Sequence, residues 1–151
     1  MDIDYLSVGR NIFSNVPFLN LIGVKVLEAC PEKVVASFAY RDDLIGNHHH
    51  RILHGGVIST VMDSVGGLVA IMKFLQSVED EAPDVQEKAM GRLTKLATID
   101  MRADYLLPGR GEEFFCEGHI LRLGRHVIAS RMEFRNEAGD LIAVGTGTYN
   151  Y

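Results

Sequence analysis

Apolar side chains recur along this chain with two different periods, and the changes of period mark out its elements. Between residues 4 and 15 the apolar positions 5, 6, 8, 12 and 13 fit one face of a short amphipathic helix, with Gly9 as a weak point and Pro17 as its end. From Gly23 to Leu27 and from Val34 to Tyr40 the pattern becomes β-like, and Pro31-Glu32-Lys33 supplies the turn of a hairpin. A polar connection, Asp42 to Arg51, carries Gly46 and three successive histidines. Gly55 to Gln76 is then apolar on nearly every side, which predicts a long helix buried over most of its surface. Asp63, Gly66 and Gly67 interrupt it, and it is too short and too broken to be read as a membrane span.

Ser77 to Gly91 is acidic and polar, contains Pro83, and reads as a long surface loop with room for a short helical turn. Alternation returns at Lys95 to Leu106, where Thr98, Asp100, Arg102 and Asp104 share one predicted face and Ile99, Met101, Ala103 and Tyr105 the other. Pro108-Gly109-Arg110-Gly111 is a turn. Glu113–Leu123 and His126–Asn136 form a hairpin about Gly124-Arg125, and Glu137-Ala138-Gly139-Asp140 leads into a last strand, Leu141 to Tyr149. Gly145 and Gly147 fall on one face of that strand, where glycine marks a close approach, with Gly66 and Gly67 of the helix as the expected counterpart. The order of elements and the short links predict an α+β domain, one buried helix wrapped by an antiparallel sheet. No repeat or interdomain linker divides the chain, so residues 1–151 read as a single domain with an N-terminal helical extension over 1–20.

Composition narrows the function classes. The chain has 47% hydrophobic and 23% charged residues, ordinary for a globular domain, and a net charge of −5 that argues against a nucleic-acid partner. The acidic start Met1-Asp2-Ile3-Asp4 lacks the basic and apolar regions of a signal peptide, so no membrane partner is expected. Cys30 and Cys116 are too few for a disulfide scaffold and read as buried free thiols of a cytoplasmic protein.

The chemistry concentrates at His54-Gly55-Gly56, which opens the long helix, and at Asp63 within it. A helix N-terminus presents unpaired N–H groups and a partial positive charge, and two glycines let a carbonyl oxygen approach the backbone. Asp63 supplies a base or nucleophile, costly to bury in an apolar helix without a purpose. Seven residues separate Gly56 from Asp63, nearly two whole turns and roughly 10 Å along the axis, too far for both to act on one carbonyl within a single helix. A shared reaction therefore demands the carboxylate of a second copy packed antiparallel across a two-fold axis. Each feature also has a plainer role: His54 as a capping residue at the helix mouth, Thr98 as an ordinary strand residue. His48-His49-His50 reads as a solvated loop and not a metal site, because adjacent residues do not converge on one ion.

The His54-Gly55-Gly56 turn, the spacing to Asp63, Gly66-Gly67 and the strand Ala97-Thr98-Ile99-Asp100-Met101 resemble the hotdog-fold acyl-CoA thioesterases, in particular the phenylacetyl-CoA thioesterase-like subgroup, over roughly Gly23 to Tyr149. The resemblance implies a central helix wrapped by an antiparallel sheet, and a homodimer or dimer of dimers. It implies that the Gly56 N–H polarises the thioester carbonyl, that Asp63 from the partner chain attacks or activates water, and that the Thr98 hydroxyl assists. The family's amide lies six residues before the histidine, where this chain has His48, with Asn47 one residue earlier. Either the loop is one residue longer or His48 replaces the amide, so the water-positioning role falls to Asn47 or His48. Gly55, Val65 and Gly66 are the substrate-binding candidates on the helix. Arg125, at the turn also flanked by Arg122 and Arg131, is the candidate for the nucleotide phosphates of coenzyme A. The reaction expected is hydrolysis of an aromatic or medium-chain acyl-CoA, with no cofactor beyond the coenzyme A of the substrate itself. Two other readings compete. A hotdog hydratase or dehydratase would need a catalytic histidine paired with an acid in a different motif. A non-catalytic acyl-CoA binding protein would have no use for Asp63.

Overall fold

The computed structural model describes residues 3–151. Helix α1 (Tyr5–Ser14) is started by Asp4, whose carboxylate accepts from the Ser7 N–H at 3.1 Å and the Ser7 hydroxyl at 2.6 Å. Pro17 does not merely end it. It takes the first position of a second helix, α2 (Pro17–Ile22), where its missing N–H is no loss. Gly23 stops α2 in the left-handed conformation (φ 87°), so the first strand begins two residues later than its sequence suggested.

Strands β1 (Lys25–Ala29) and β2 (Lys33–Ala39) form the predicted hairpin. A short 3-10 turn at Asp42–Leu44 leads to a two-stranded ribbon, β3 (Ile45–Asn47) and β4 (Ile52–Leu53), that encloses the histidine turn. Helix α3 (Gly55–Gln76) comes directly after it. The segment expected to loop holds an eleven-residue helix, α4 (Pro83–Leu93). Pro83 begins that helix instead of breaking it, Asp84 sits favourably in its first turn, and Ala89 alone is buried, so there was little apolar period to read. The remaining strands are β5 (Ala97–Tyr105), β6 (Glu113–Leu123), β7 (Val127–Asn136) and β8 (Leu141–Asn150).

Six strands make one antiparallel sheet in the order β1-β2-β6-β7-β8-β5. It packs against α3, whose Val61, Met62, Val65, Val69 and Met72 are fully buried with Phe114, Met132, Phe134 and Ile142 of the sheet. The 22 residues of α3 are long and apolar enough to cross a bilayer, but that apolar surface is occupied by the sheet. The hotdog architecture expected from the resemblance is the one observed.

Two local departures from the expected pattern set the positions of Thr98 and Tyr149. In β5, Thr98 pairs with Tyr149 and Asp100 with Thr148, so Ile99 is an extra, bulged residue. Strict alternation would put Thr98 with Asp100, Arg102 and Asp104. The bulge instead moves it to the inner face with Met101, Ala103 and Tyr105. The glycines of helix and sheet, for their part, do not meet backbone to backbone. A Cβ on Gly66 would strike the Tyr149 hydroxyl, and would lie 2.7 Å from Met132 Sδ and 2.9 Å from Ser130 Oγ. One on Gly147 would lie 2.8 Å from the Tyr149 ring. The space the glycines leave is filled by a tyrosine.

Candidate active site

His54 caps α3. Its Nδ1 accepts the Gly56 N–H at 2.8 Å, and its carbonyl accepts the N–H groups of Val57 at 3.0 Å and Ile58 at 3.4 Å. The bond to Gly56 places the ring proton on Nε2. The expectation that Gly56 presents a free N–H is thus corrected, because His54 occupies it. Gly55 N–H is the helix-mouth donor with no partner among the described residues. The mouth is held from outside at three points. The His54 N–H donates to the Leu44 carbonyl at 2.9 Å, the Leu53 N–H to that of Gly109 at 3.0 Å, and the Tyr105 hydroxyl to that of Gly55 at 2.8 Å. Nothing in the sequence singles out Tyr105, since alternation alone marks it as one more inward strand residue.

Asp63 is half-buried on α3. Its Oδ1 accepts the Thr98 hydroxyl proton at 2.8 Å, the contact made possible by the bulge. Its backbone carbonyl accepts the hydroxyl of Tyr149 at 2.9 Å. Burial, and next the Asp63 carboxylate, push the Tyr149 phenol far above its ordinary range, so the hydroxyl stays protonated and a donor.

The mouth and the acid open into different cavities. His54, Gly56, Val57 and Thr60 border one of about 610 Å³, which Phe18 and Leu21 of α2 also line. Asp63, Thr98 and Tyr149 border another, of about 200 Å³, with Phe13, Leu68 and Ile71 as apolar walls. Within one continuous helix the seven-residue spacing keeps Gly56 and Asp63 about 10 Å apart. The roof over both cavities comes from the N-terminal helices. The amphipathic pattern of α1 was visible and α2 was not, and the pattern gave no sign of what either covers.

The other predicted site residues are placed less favourably. Val65 is fully buried against Gly118, and Gly66 is sealed under Tyr149 and Ser130, so both belong to the core and not to a ligand surface. Asn47 and His48 lie exposed on the β3–β4 turn, where the Asn47 side chain accepts the His49 N–H at 3.1 Å and the His48 and His49 rings lie 3.9 Å apart. Neither lines the cavity of the mouth or of the acid. Arg125 is exposed at the β6–β7 turn, where Arg122, Arg125 and His126 border a cavity of about 370 Å³. Among the described residues none of the three is in an ion pair with a carboxylate. Of the two thiols, Cys116 is buried as expected and Cys30 is exposed, contrary to expectation, because it lies on the β1–β2 turn and not in a strand.

A family model described as "Thioesterase superfamily" matches residues 50–143, the stretch that runs from the helix mouth into β8. The chain belongs to the thioesterase superfamily. This thioesterase is 37% identical to the medium/long-chain acyl-CoA thioesterase YigI of Escherichia coli, over 94% of its own length and 90% of the relative's. Its fold superposes on a crystal structure from Shewanella oneidensis, related to the same superfamily, with a TM-score of 0.89 and 43% identity, covering 97% of this chain and 95% of that one. Zebrafish thioesterase superfamily member 2 shares the fold at a TM-score of 0.74 and 23% identity, over 96% of each chain. The chemistry of this thioesterase is hydrolysis of a thioester.

Proposed function

We propose that the protein hydrolyses medium-chain acyl-CoA thioesters at a site completed by a second copy of the chain. In that site the thioester carbonyl docks at the α3 mouth of one copy, where the Gly55 N–H is the available donor. Asp63 of the partner subunit, anchored by its Thr98, drives attack on that carbonyl directly or through a water. Through a water, Asp63 takes up a proton as the hydroxide adds to the carbonyl, and the C–S bond breaks as that proton passes to sulfur. By direct attack, an Asp63–acyl anhydride forms as the thiolate leaves, and a water then cleaves it. Either route ends in coenzyme A and the free acid.

The observation that carries this reading is the carboxylate tethered to Thr98 on the wall of an apolar cavity. The named substrates of the E. coli relative favour an aliphatic over an aromatic acyl group. The exposed arginines at the β6–β7 turn suit the phosphates of coenzyme A, which enters as part of the substrate, and the cytoplasm is the compartment that supplies it. The demand for a homodimer, or a dimer of dimers, is supported by β5. It is the outer edge of the sheet, and the bulged Ile99 is 57% exposed there, a surface open to pairing. A hydratase reading is disfavoured because the Nδ1 of His54, the histidine at the helix mouth, is taken up by the Gly56 N–H.

The test is turnover on a panel of acyl-CoAs followed by thiol release, with Asp63→Asn beside the wild type. The variant is expected to lose a factor of roughly 100 or more in kcat while still binding substrate. Unchanged turnover would remove Asp63 from the reaction, and full activity from a monomer in sedimentation would remove the shared site.

A further inference from the structure

Resting on that assignment of Asp63, we infer that Tyr149 is a positioning residue for the catalytic carboxylate, acting with Thr98 as a cross-strand clamp on one helical residue. Thr98 and Tyr149 are directly paired in the β5–β8 register and face the helix together. Their hydroxyls reach residue 63 from neighbouring strands, one at the carboxylate (2.8 Å) and one at the backbone carbonyl (2.9 Å). A carboxylate has two free torsions beyond its Cα. The Thr98 bond alone sets the side-chain rotation but not the seat of that helical turn against β8, and the Tyr149 bond alone sets the seat but leaves the side chain free to rotate. The two bonds together fix both.

The surroundings are built for this contact. Tyr149 is 1% exposed, and Gly66, Gly67 and Gly147 leave the volume its ring occupies. Ser130 on β7 makes a comparable bond one turn further along, its hydroxyl donating to the Gly66 carbonyl at 3.2 Å. That second bond fastens the helix without reaching residue 63. Although the Ser130 hydroxyl also neighbours the Tyr149 phenol, removing it leaves the bond from Tyr149 to the Asp63 carbonyl in place, so it serves as a control.

The experiment compares Tyr149→Phe with Ser130→Ala in the intact enzyme. Each removes one buried hydroxyl and is expected to lower stability by a similar small amount. Tyr149→Phe is expected to lower kcat by about three- to tenfold, the range of one hydrogen bond, with KM unchanged. Ser130→Ala leaves kcat within about twofold of wild type. In an Asp63→Asn background, Tyr149→Phe should cause no further loss, because it acts only through that carboxylate. If Tyr149→Phe does not fold, 4-aminophenylalanine at position 149, which keeps a donor, and 4-methylphenylalanine, which does not, give the same comparison. Equal kcat for Tyr149→Phe and wild type at a temperature where both are folded would overturn the clamp. So would equal kcat losses in Tyr149→Phe and Ser130→Ala. An active Asp63→Asn enzyme would instead overturn the assignment of the acid.

Discussion

Adjacent glycines on α3 should respond to the same substitution with opposite signs. Alanine in place of glycine in a helix gains about 1 kcal/mol of intrinsic stability. At Gly67 the new methyl meets nothing closer than a Tyr149 ring carbon at 3.4 Å, an ordinary contact, so that gain is realised. At Gly66 it would strike the Tyr149 hydroxyl and lie 2.7 Å from Met132 Sδ. The methionine can move, but the phenol is the end of a rigid, buried ring. Overpacking of this kind costs about 1–3 kcal/mol, and displacing the phenol from the Asp63 carbonyl adds about 1 kcal/mol. Against the propensity gain, Gly66→Ala should be destabilising by roughly 1–3 kcal/mol, a fall in Tm of about 2–12 °C for a chain of this size. Gly67→Ala should raise Tm by about 2–4 °C, and so should Gly91→Ala on α4, whose Cβ would meet nothing within 4 Å. Thermal unfolding followed by circular dichroism measures all three. A Gly66→Ala protein as stable as Gly67→Ala would refute the packing of Tyr149 against the helix.

Replacing Arg122 and Arg125 together by alanine should raise KM for acyl-CoA about tenfold and leave it unchanged for the same acyl group on pantetheine, which lacks the nucleotide phosphates. Equal effects on both substrates would move the nucleotide elsewhere. The native enzyme should also react with one equivalent of a thiol reagent at exposed Cys30. Burial holds the Cys116 thiol well above its ordinary range, so a second equivalent should appear only on unfolding. Two equivalents reacting at the native rate would contradict the buried position of Cys116 on β6.

Much of this architecture was legible because it rests on burial. The near-continuous apolar run of α3 and the hairpins of β6, β7 and β8 announce themselves in residue type. Helix α4 was not legible, since a surface helix with only Ala89 buried leaves no period, and Pro83 carries the same letter whether it starts a helix or breaks one. Among the site residues, Asp63 stood out because a carboxylate is costly in an apolar helix. The role of Thr98 was suggested by resemblance alone, since the alternation that pointed it outward could not show the bulge at Ile99. Apolar helix positions such as Val65 read from sequence as core first and acyl-pocket lining second, and the burial of Val65 and Gly66 against the sheet leaves only the first role. The bonding of His54 to backbone at the helix mouth was legible as the plainer of its two roles and the favoured one.

The opening of the acid and the helix mouth into separate hollows bears on inheritance. Under the proposed assembly, each reaction centre is written by two copies of the gene product. A chain lacking the carboxylate and a chain with a spoiled mouth, both inert alone, would form mixed pairs in which one centre draws its two sound halves from different parents. A single faulty version would likewise spoil one centre in every pair it joins, so its effect in a cell would exceed its share of the molecules only where all centres must work in concert.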